Sequence, residues 1–286
     1  MMLAAKISLA IFIAANLFEM GLGMYPRDVV AGLRNLRFAA AALLWGFVLG
    51  PALAYGITLV VPLESWAATG LLILGMTPCA PFLPAILRNT DARPGLIAVL
   101  LLLTACGTVL FMPLAAPFVL YGTTVDAWTI ARPLLVVVLL PLVAGMVLLR
   151  ASATAAARMR PSVRQVTRVA TVAACGFCGI VYGREVFGAA LSAAAITAHL
   201  MFLSTLALLP GSLAIRLPPQ EKLVLNAGLA TRNVGAALAP LVTLEQGDPR
   251  VIGMVLLGFP LMVLIAGLAT RAAARWRDTP RPSVAA

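Results

Sequence analysis

One arginine lies in the middle of a strongly apolar stretch, among residues that can donate or accept hydrogen bonds. Arg232 occupies the centre of residues 221–244. An arginine at the centre of a membrane-spanning helix costs on the order of 2.5–3.5 kcal/mol, so it needs either a partner or a function. Its planar guanidinium can bind a carboxylate through two parallel hydrogen bonds, or it can act as a fixed internal cation. The polar and glycine residues around it are Asn226, Gly228, Thr231, Asn233 and Gly235.

A second stretch, residues 75–84, combines three prolines with a threonine and a cysteine. Pro78, Pro81 and Pro84 lack backbone N–H donors, so they exclude a continuous helix. Non-helical backbone inside a membrane must be buried in protein or line a cavity. Paired broken spans, one in each half of a chain, are typical of transporters with a binding site at the midplane. The candidate substrate-binding residues are therefore Thr77, Cys79, Asn226, Thr231, Arg232 and Asn233.

The composition indicates which elements must position these residues. Of 286 residues, 62% are apolar and 11% are charged, whereas soluble domains average roughly 45–50% and 25%. A soluble protein is excluded, and an all-α polytopic membrane protein is favoured, because each spanning helix needs roughly 20 apolar residues. We predict nine spans at 7–24, 38–60, 66–90, 94–121, 131–150, 168–187, 190–214, 221–244 and 250–271.

The basic residues predict the orientation of the chain. A net charge of +11 would indicate a nucleic-acid partner in a soluble protein, but here the charges separate apolar runs, and no such partner is expected. Sixteen of the 21 Lys and Arg residues fall in one alternate set of loops and four in the other. The positive-inside rule then places the N-terminus outside and the C-terminus in the cytoplasm. We expect a single transmembrane domain in the cell (inner) membrane, with residues 272–286 as a short cytoplasmic tail.

Two titratable residues within the predicted spans are candidates for coupling to protons. Glu19, near the end of the first span, is either a coupling carboxylate, the counter-ion of Arg232, or an interfacial residue. His199, the sole histidine, is either a proton relay or a satisfied core residue.

The remaining patterns do not indicate catalysis or metal binding. Cys175 and Cys178 share a helix face, but they lack the partners of a zinc site. Close packing with nearby small residues is the favoured interpretation, and those residues are Gly176, Gly179 and Gly183. Neither a catalytic triad, a carboxylate pair nor a phosphate-binding loop is present, so we expect no enzyme, no cofactor and no resident metal.

Three motifs resemble the bile acid:sodium symporter family. Residues 17–28 resemble its Phe-Gly-Met-Gly-Leu helix end, residues 75–84 occupy the place of its Cys-Pro-Gly-Gly-type break, and residues 232–235 that of its Gln-Asn pair. The resemblance implies inverted five-helix repeats, a core with two crossing broken helices, and a panel domain. We expect the first of the ten family spans to be lacking, with the repeats corresponding to about residues 7–121 and 131–271. It also implies alternating-access transport of a small organic anion.

This sequence departs from the family where sodium is held. The family's Ser-Asn pair aligns with Leu83 and Pro84, its Glu with Gly228, and its Gln with Arg232. Hard cations require several oxygen ligands, so Na⁺ coupling is doubtful, and protons or facilitated exchange are the substitutes.

Two other functions stay open. The Pro78-Cys79 pair resembles the broken helix of arsenite efflux carriers of the same fold, although their acidic residue on the second broken helix is lacking. A membrane sensor would need a soluble output domain, which the short tail does not provide. The sequence leaves the substrate and the oligomeric state undetermined.

Overall fold

The computed structural model describes residues 1–120, 126–214, 216–242 and 247–278, which are helical apart from connecting turns and one isolated bridge. We number the helices in chain order as α1 (Met2–Gly21), α2 (Pro26–Leu33), α3 (Leu36–Val60), α4 (Ser65–Gly75), α5 (Leu83–Ile86), α6 (Pro94–Phe118), α7 (Ala127–Ala151), α8 (Ala153–Leu191), α9 (Ala193–Leu213), α10 (Pro219–Ala230), α11 (Val234–Leu241) and α12 (Pro249–Asp278).

Seven of these helices are long and apolar enough to cross a membrane, namely α1, α3, α6, α7, α8, α9 and α12. The chain is therefore a polytopic, all-helical membrane protein, as the composition predicts. The other two predicted spans, 66–90 and 221–244, appear as pairs of short helices. In both places the predicted break is confirmed, and it falls at residues 76–82 and 231–233.

Helix α8 differs most from its predicted boundaries. The predicted span at 168–187 lies within this helix. The charged loop predicted before it was wrong, because the helix runs over 39 residues from Ala153 to Leu191. Ser152 caps its start, since its hydroxyl accepts a hydrogen bond from the Ala155 N–H at 3.1 Å. At 1.5 Å per residue the helix measures roughly 58 Å, about twice the thickness of a hydrocarbon core.

The helices form two packed groups, which meet where α8 packs against α12 and where α1 and α7 contact α11. Helices α1, α7 and α8 pack against one another, and α12 packs against α4, α8 and α9. The contact between α1 and α7 depends on two glycines, because a Cβ at Gly21 would meet the carbonyl oxygen of Leu142 and a Cβ at Gly145 would lie 2.5 Å from that of Phe18. Small residues permit such close approach of membrane helices.

Side-chain contacts join the loops in two sets. Asn35, before α3, donates to Glu221 of α10 at 2.8 Å. At a different set of helix ends, Arg250 lies 3.6 Å from Glu64 and 2.9 Å from Asp248. The hydrogen bonds from Arg250 hold the pKa of the Asp248 carboxyl below its usual range. The Asn35–Glu221 contact joins two loops that the predicted topology places on one side of the membrane. The Arg250 contacts join loops that it places on the other side.

Candidate functional site

The two breaks cross and satisfy each other's backbone groups. Pro78 and Arg232 form an antiparallel bridge. On either side of it, the Cys79 N–H donates to the Thr231 carbonyl and the Asn233 N–H donates to the Thr77 carbonyl, both at 2.8 Å. Buried backbone groups without partners are costly in a membrane, so each break stabilises the other.

Cys79 takes an unusual backbone conformation within this crossing. Its φ of 65° lies in the left-handed region, and the residue is only 3% exposed. Its thiol contacts the hydroxyls of Thr104 and Thr231. Residues other than glycine pay a conformational penalty there, which the reciprocal hydrogen bonds of the crossing offset.

This conformation leads to a prediction about stability. We expect Cys79→Val to destabilise the protein by about 2 kcal/mol or more, because a β-branched side chain suits the left-handed region worst. Cys79→Ser keeps the size and the Cβ substitution pattern, so it should cost less than half as much. Thermal unfolding in detergent measures both, and equal losses would show that side-chain contacts, rather than backbone strain, control this position.

The Arg232 side chain binds the carbonyl ends of both broken segments. Its Nε donates to the Leu74 carbonyl at 3.0 Å, its Nη2 to that of Gly75, and its Nη1 to that of Leu229 at 3.3 Å. The guanidinium also lies over the Phe202 ring, 4.9 Å from its centre, and it is fully buried. These contacts place the cation at the C-terminal ends of α4 and α10.

Helix dipoles, rather than an acidic side chain, balance this charge. Each helix C-terminus carries about half a negative charge, so the two ends together match one guanidinium. Among the described residues, no Asp or Glu forms an ion pair with Arg232. The suggested partner Glu19 instead binds Arg164 of α8 at 3.1 Å, at a partly exposed position. The interpretation of Glu19 as the counter-ion was therefore wrong, because its carboxylate pairs with Arg164 near the C-terminal end of α1.

A cavity of about 430 Å³ lies beside the crossing. It is bounded by α1 and α8 on one side, and by the two breaks, α11 and α12 on the other. Phe82, the last residue of the first break, packs edge-on against Phe259 of α12 within the cavity wall. The residues that line it are Leu9, Phe12, Ile13, Asn16, Pro81, Phe82, Thr171, Ala174, Cys175, Cys178, Gly179, Gly183, Val186, Phe187, Ala190, Arg232, Asn233, Val234, Gly235, Leu238, Leu256 and Phe259.

Polar groups are concentrated at one end of this cavity. Asn233 caps α11, since its Oδ1 accepts from the Ala236 N–H at 3.0 Å. In the part of the chain that the structure describes, its amide Nδ2 makes no hydrogen bond, and the residue faces the cavity. The N–H of Gly235 has no acceptor within the helix, as is usual in a first turn. Asn16 of α1 contributes a second amide to the wall.

Several predicted site residues lie away from the cavity. Asn226 binds α9, accepting from the Gly211 N–H at 2.6 Å. Thr77 and Thr231 use their hydroxyls within the crossing, and Cys79 is buried behind it. Of the six candidates, only Arg232 and Asn233 line the cavity. The Arg232 guanidinium itself contacts residues outside the cavity wall, namely Leu74, Gly75, Leu229 and Phe202. Substrate binding by each candidate stays a prediction.

His199 is fully buried on α9, where its Nδ1 lies 3.0 Å from the Ala195 carbonyl. Its Nε2 faces α12, where a Cβ added at Gly258 would lie 3.1 Å from this nitrogen. The ring lies outside the cavity wall. A role in coupling stays a prediction.

The glycines of α8 do not serve close packing, contrary to the sequence interpretation. A Cβ at Gly176, Gly179, Gly183 or Gly188 would meet no atom within 4 Å. Cys175 is exposed, and it lines the cavity together with Cys178, Gly179 and Gly183. This wall was not predicted from the sequence. The available signal was the helical spacing of the small residues at 175, 178, 179 and 183.

The comparisons with known proteins agree with this architecture. No curated protein matches the chain significantly. A family model described as the sodium bile acid symporter family matches residues 10–187, which is more than half of the chain. This confirms the resemblance to the family, and the match includes the first two of the three motifs. It makes the protein a membrane transporter of a small solute rather than an enzyme. The chain belongs to the sodium bile acid symporter family.

Proposed function

We propose that the protein is a secondary transporter of a small organic anion that works by alternating access. The observation that carries this proposal is the cavity between two helix groups, beside a crossing of two broken segments. One group consists of α1, α7 and α8, and the other contains both breaks and α12. Rocking of one group against the other would open the cavity to either side, as in transporters with discontinuous helices.

In this proposal each broken pair, α4 with α5 and α10 with α11, completes one crossing of the membrane. Together with the seven long helices they make nine spans in two inverted repeats. The separation of loop contacts into the Asn35–Glu221 and Arg250–Glu64 clusters supports the alternation. The excess of basic residues in one set of loops supports an outer N-terminus and a cytoplasmic C-terminus.

The cavity wall suggests the substrate class. Aromatic and aliphatic side chains such as Phe12, Phe82 and Phe259 form most of it, and its volume lies within the range of ordinary small-molecule sites. Its polar end offers the Asn233 amide and the first turn of α11, where N–H groups and the helix dipole attract negative charge. The fitting substrate is an anion with one carboxylate-sized charged group and an apolar body.

Counterflow in proteoliposomes tests this function. We expect saturable exchange of at least one labelled monocarboxylate with a cyclic or branched apolar body, and an equal rate when choline replaces Na⁺. The same ligand should raise the melting temperature of the purified protein. Exchange of only uncharged amide analogues would overturn the anion assignment. Failure of every carboxylate in both assays would overturn the transport proposal.

The metalloid alternative receives no support from the first break. A trivalent arsenical needs an accessible thiolate, and the Cys79 thiol is buried against Thr104 and Thr231, outside the cavity. Arsenite in the same proteoliposomes provides the direct comparison, and we expect no counterflow.

A further inference from the structure

The positions where the family holds sodium do not fit a cation in this chain. Gly228, at the place of the family's glutamate, packs against leucine side chains, because a Cβ there would overlap Leu100 and lie 3.3 Å from Leu83 Cδ2. Leu83 is fully buried, and it offers only carbon. An alkali or alkaline-earth cation needs several oxygen ligands, so this first locus is unsuitable.

The second locus, around Arg232, is chemically different. Three backbone carbonyl oxygens there surround a cation that belongs to the chain itself. The carbonyls of Leu74, Gly75 and Leu229 all accept hydrogen bonds from Arg232. Carbonyls at helix C-termini are the groups that coordinate Na⁺ or H⁺ in transporters with broken helices. Gly50 of α3 lies beside the guanidinium, since a Cβ there would be in ordinary van der Waals contact with Nη2 at 3.4 Å.

We propose that the Arg232 guanidinium is a covalently attached replacement for an exchangeable coupling cation at the crossing. This inference rests on the proposed transport function, and it specifies how the carrier is powered. The guanidinium neutralises the two helix ends throughout the transport cycle. A cation that cannot dissociate cannot carry the free energy of an ion gradient, so this locus contributes no Na⁺ coupling.

The proposal predicts a latent cation site beneath the arginine. Removing the side chain leaves three carbonyl oxygens and two helix dipole ends facing an empty volume. A small cation should then bind in its place. The deleted fragment itself, ethylguanidinium, should bind best because it restores both the charge and the planar donors.

The test measures melting temperature in detergent, with NaCl, ethylguanidinium chloride or choline chloride at equal ionic strength. For the wild-type protein we expect the same value in all three salts. For Arg232→Ala we expect a lower value, raised by about 5 °C in ethylguanidinium at saturating concentration and by a smaller amount in NaCl. Arg232→Met is the matched control, because its side chain fills the volume without charge and should respond to neither.

Two outcomes would overturn the proposal. One is a folded Arg232→Ala protein whose melting temperature is equal in all three salts, and the other is a wild-type protein that Na⁺ stabilises specifically. Should Arg232→Ala fail to fold, Arg232→Lys decides, since a fixed cation should keep it more stable than Arg232→Met, and equal values would contradict the charge role. These measurements need no substrate, so a failure of the proposed transport function is recognised separately, by the absence of counterflow.

Discussion

Replacing Gly183 with leucine is expected to lower transport by roughly 10- to 100-fold while leaving the fold intact, since overpacking a well-filled site costs typically 1–3 kcal/mol. Gly183 lines the cavity, and a Cβ there meets no atom within 4 Å. The leucine side chain would therefore occupy the substrate's space without a clash. In a helix interior, losing a glycine also stabilises by about 0.5–1 kcal/mol, so the melting temperature should be unchanged or higher.

Helix α8 offers a matched control for this substitution. Gly188 is equally free of neighbours, but it does not line the cavity. Gly188→Leu should keep wild-type counterflow while gaining the same helix propensity. An equal loss of transport in both variants would mean that α8 must bend during the cycle, and the cavity would then not be the transport site.

The breaks could be predicted from the sequence because their causes are local. Prolines at 78, 81 and 84 remove backbone donors, and the polar run around Arg232 is incompatible with a lipid-facing helix. The long helices follow similarly from their apolar length. The continuation of α8 through its arginine-rich start was not predicted, because hydropathy marks where a helix enters lipid rather than where it begins.

The partners of Arg232 could not be predicted, because backbone carbonyls leave no signature in the sequence. A search for charged partners led to Glu19, which lies near the C-terminal end of α1 and binds Arg164. The cavity wall was missed for a related reason. In the sequence, an apolar residue of the cavity wall cannot be distinguished from a lipid-facing one. Only the tertiary packing shows that Leu9, Phe12 and Phe187 line the same cavity.

Asn233→Asp is expected to lower the apparent affinity for an anionic substrate by about 100-fold or more. Asn233 caps α11 and lines the cavity, and this change separates the cap from the proposed contact with the substrate. Aspartate retains the oxygen that caps α11, and it is as good an N-cap as asparagine, so the cap should persist. It removes the two Nδ2 donors of this cavity-lining residue and adds a negative charge, whose repulsion of a like charge costs several kcal/mol.

Asn233→Ser serves as the control, because it also caps the helix but adds no charge. Loss of one or two hydrogen bonds, worth about 1 kcal/mol each, should weaken the anion by roughly 10-fold in this variant. The neutral amide of the same substrate gives a further check, since Asn233→Asp should weaken it far less than the carboxylate. Counterflow and ligand-dependent melting are measured for both variants, each with the carboxylate and with its neutral amide. If Asn233→Asp bound the carboxylate as the wild type does, Asn233 would be a helix cap alone, and the anion would have to bind at another part of the wall, such as Asn16 and Thr171.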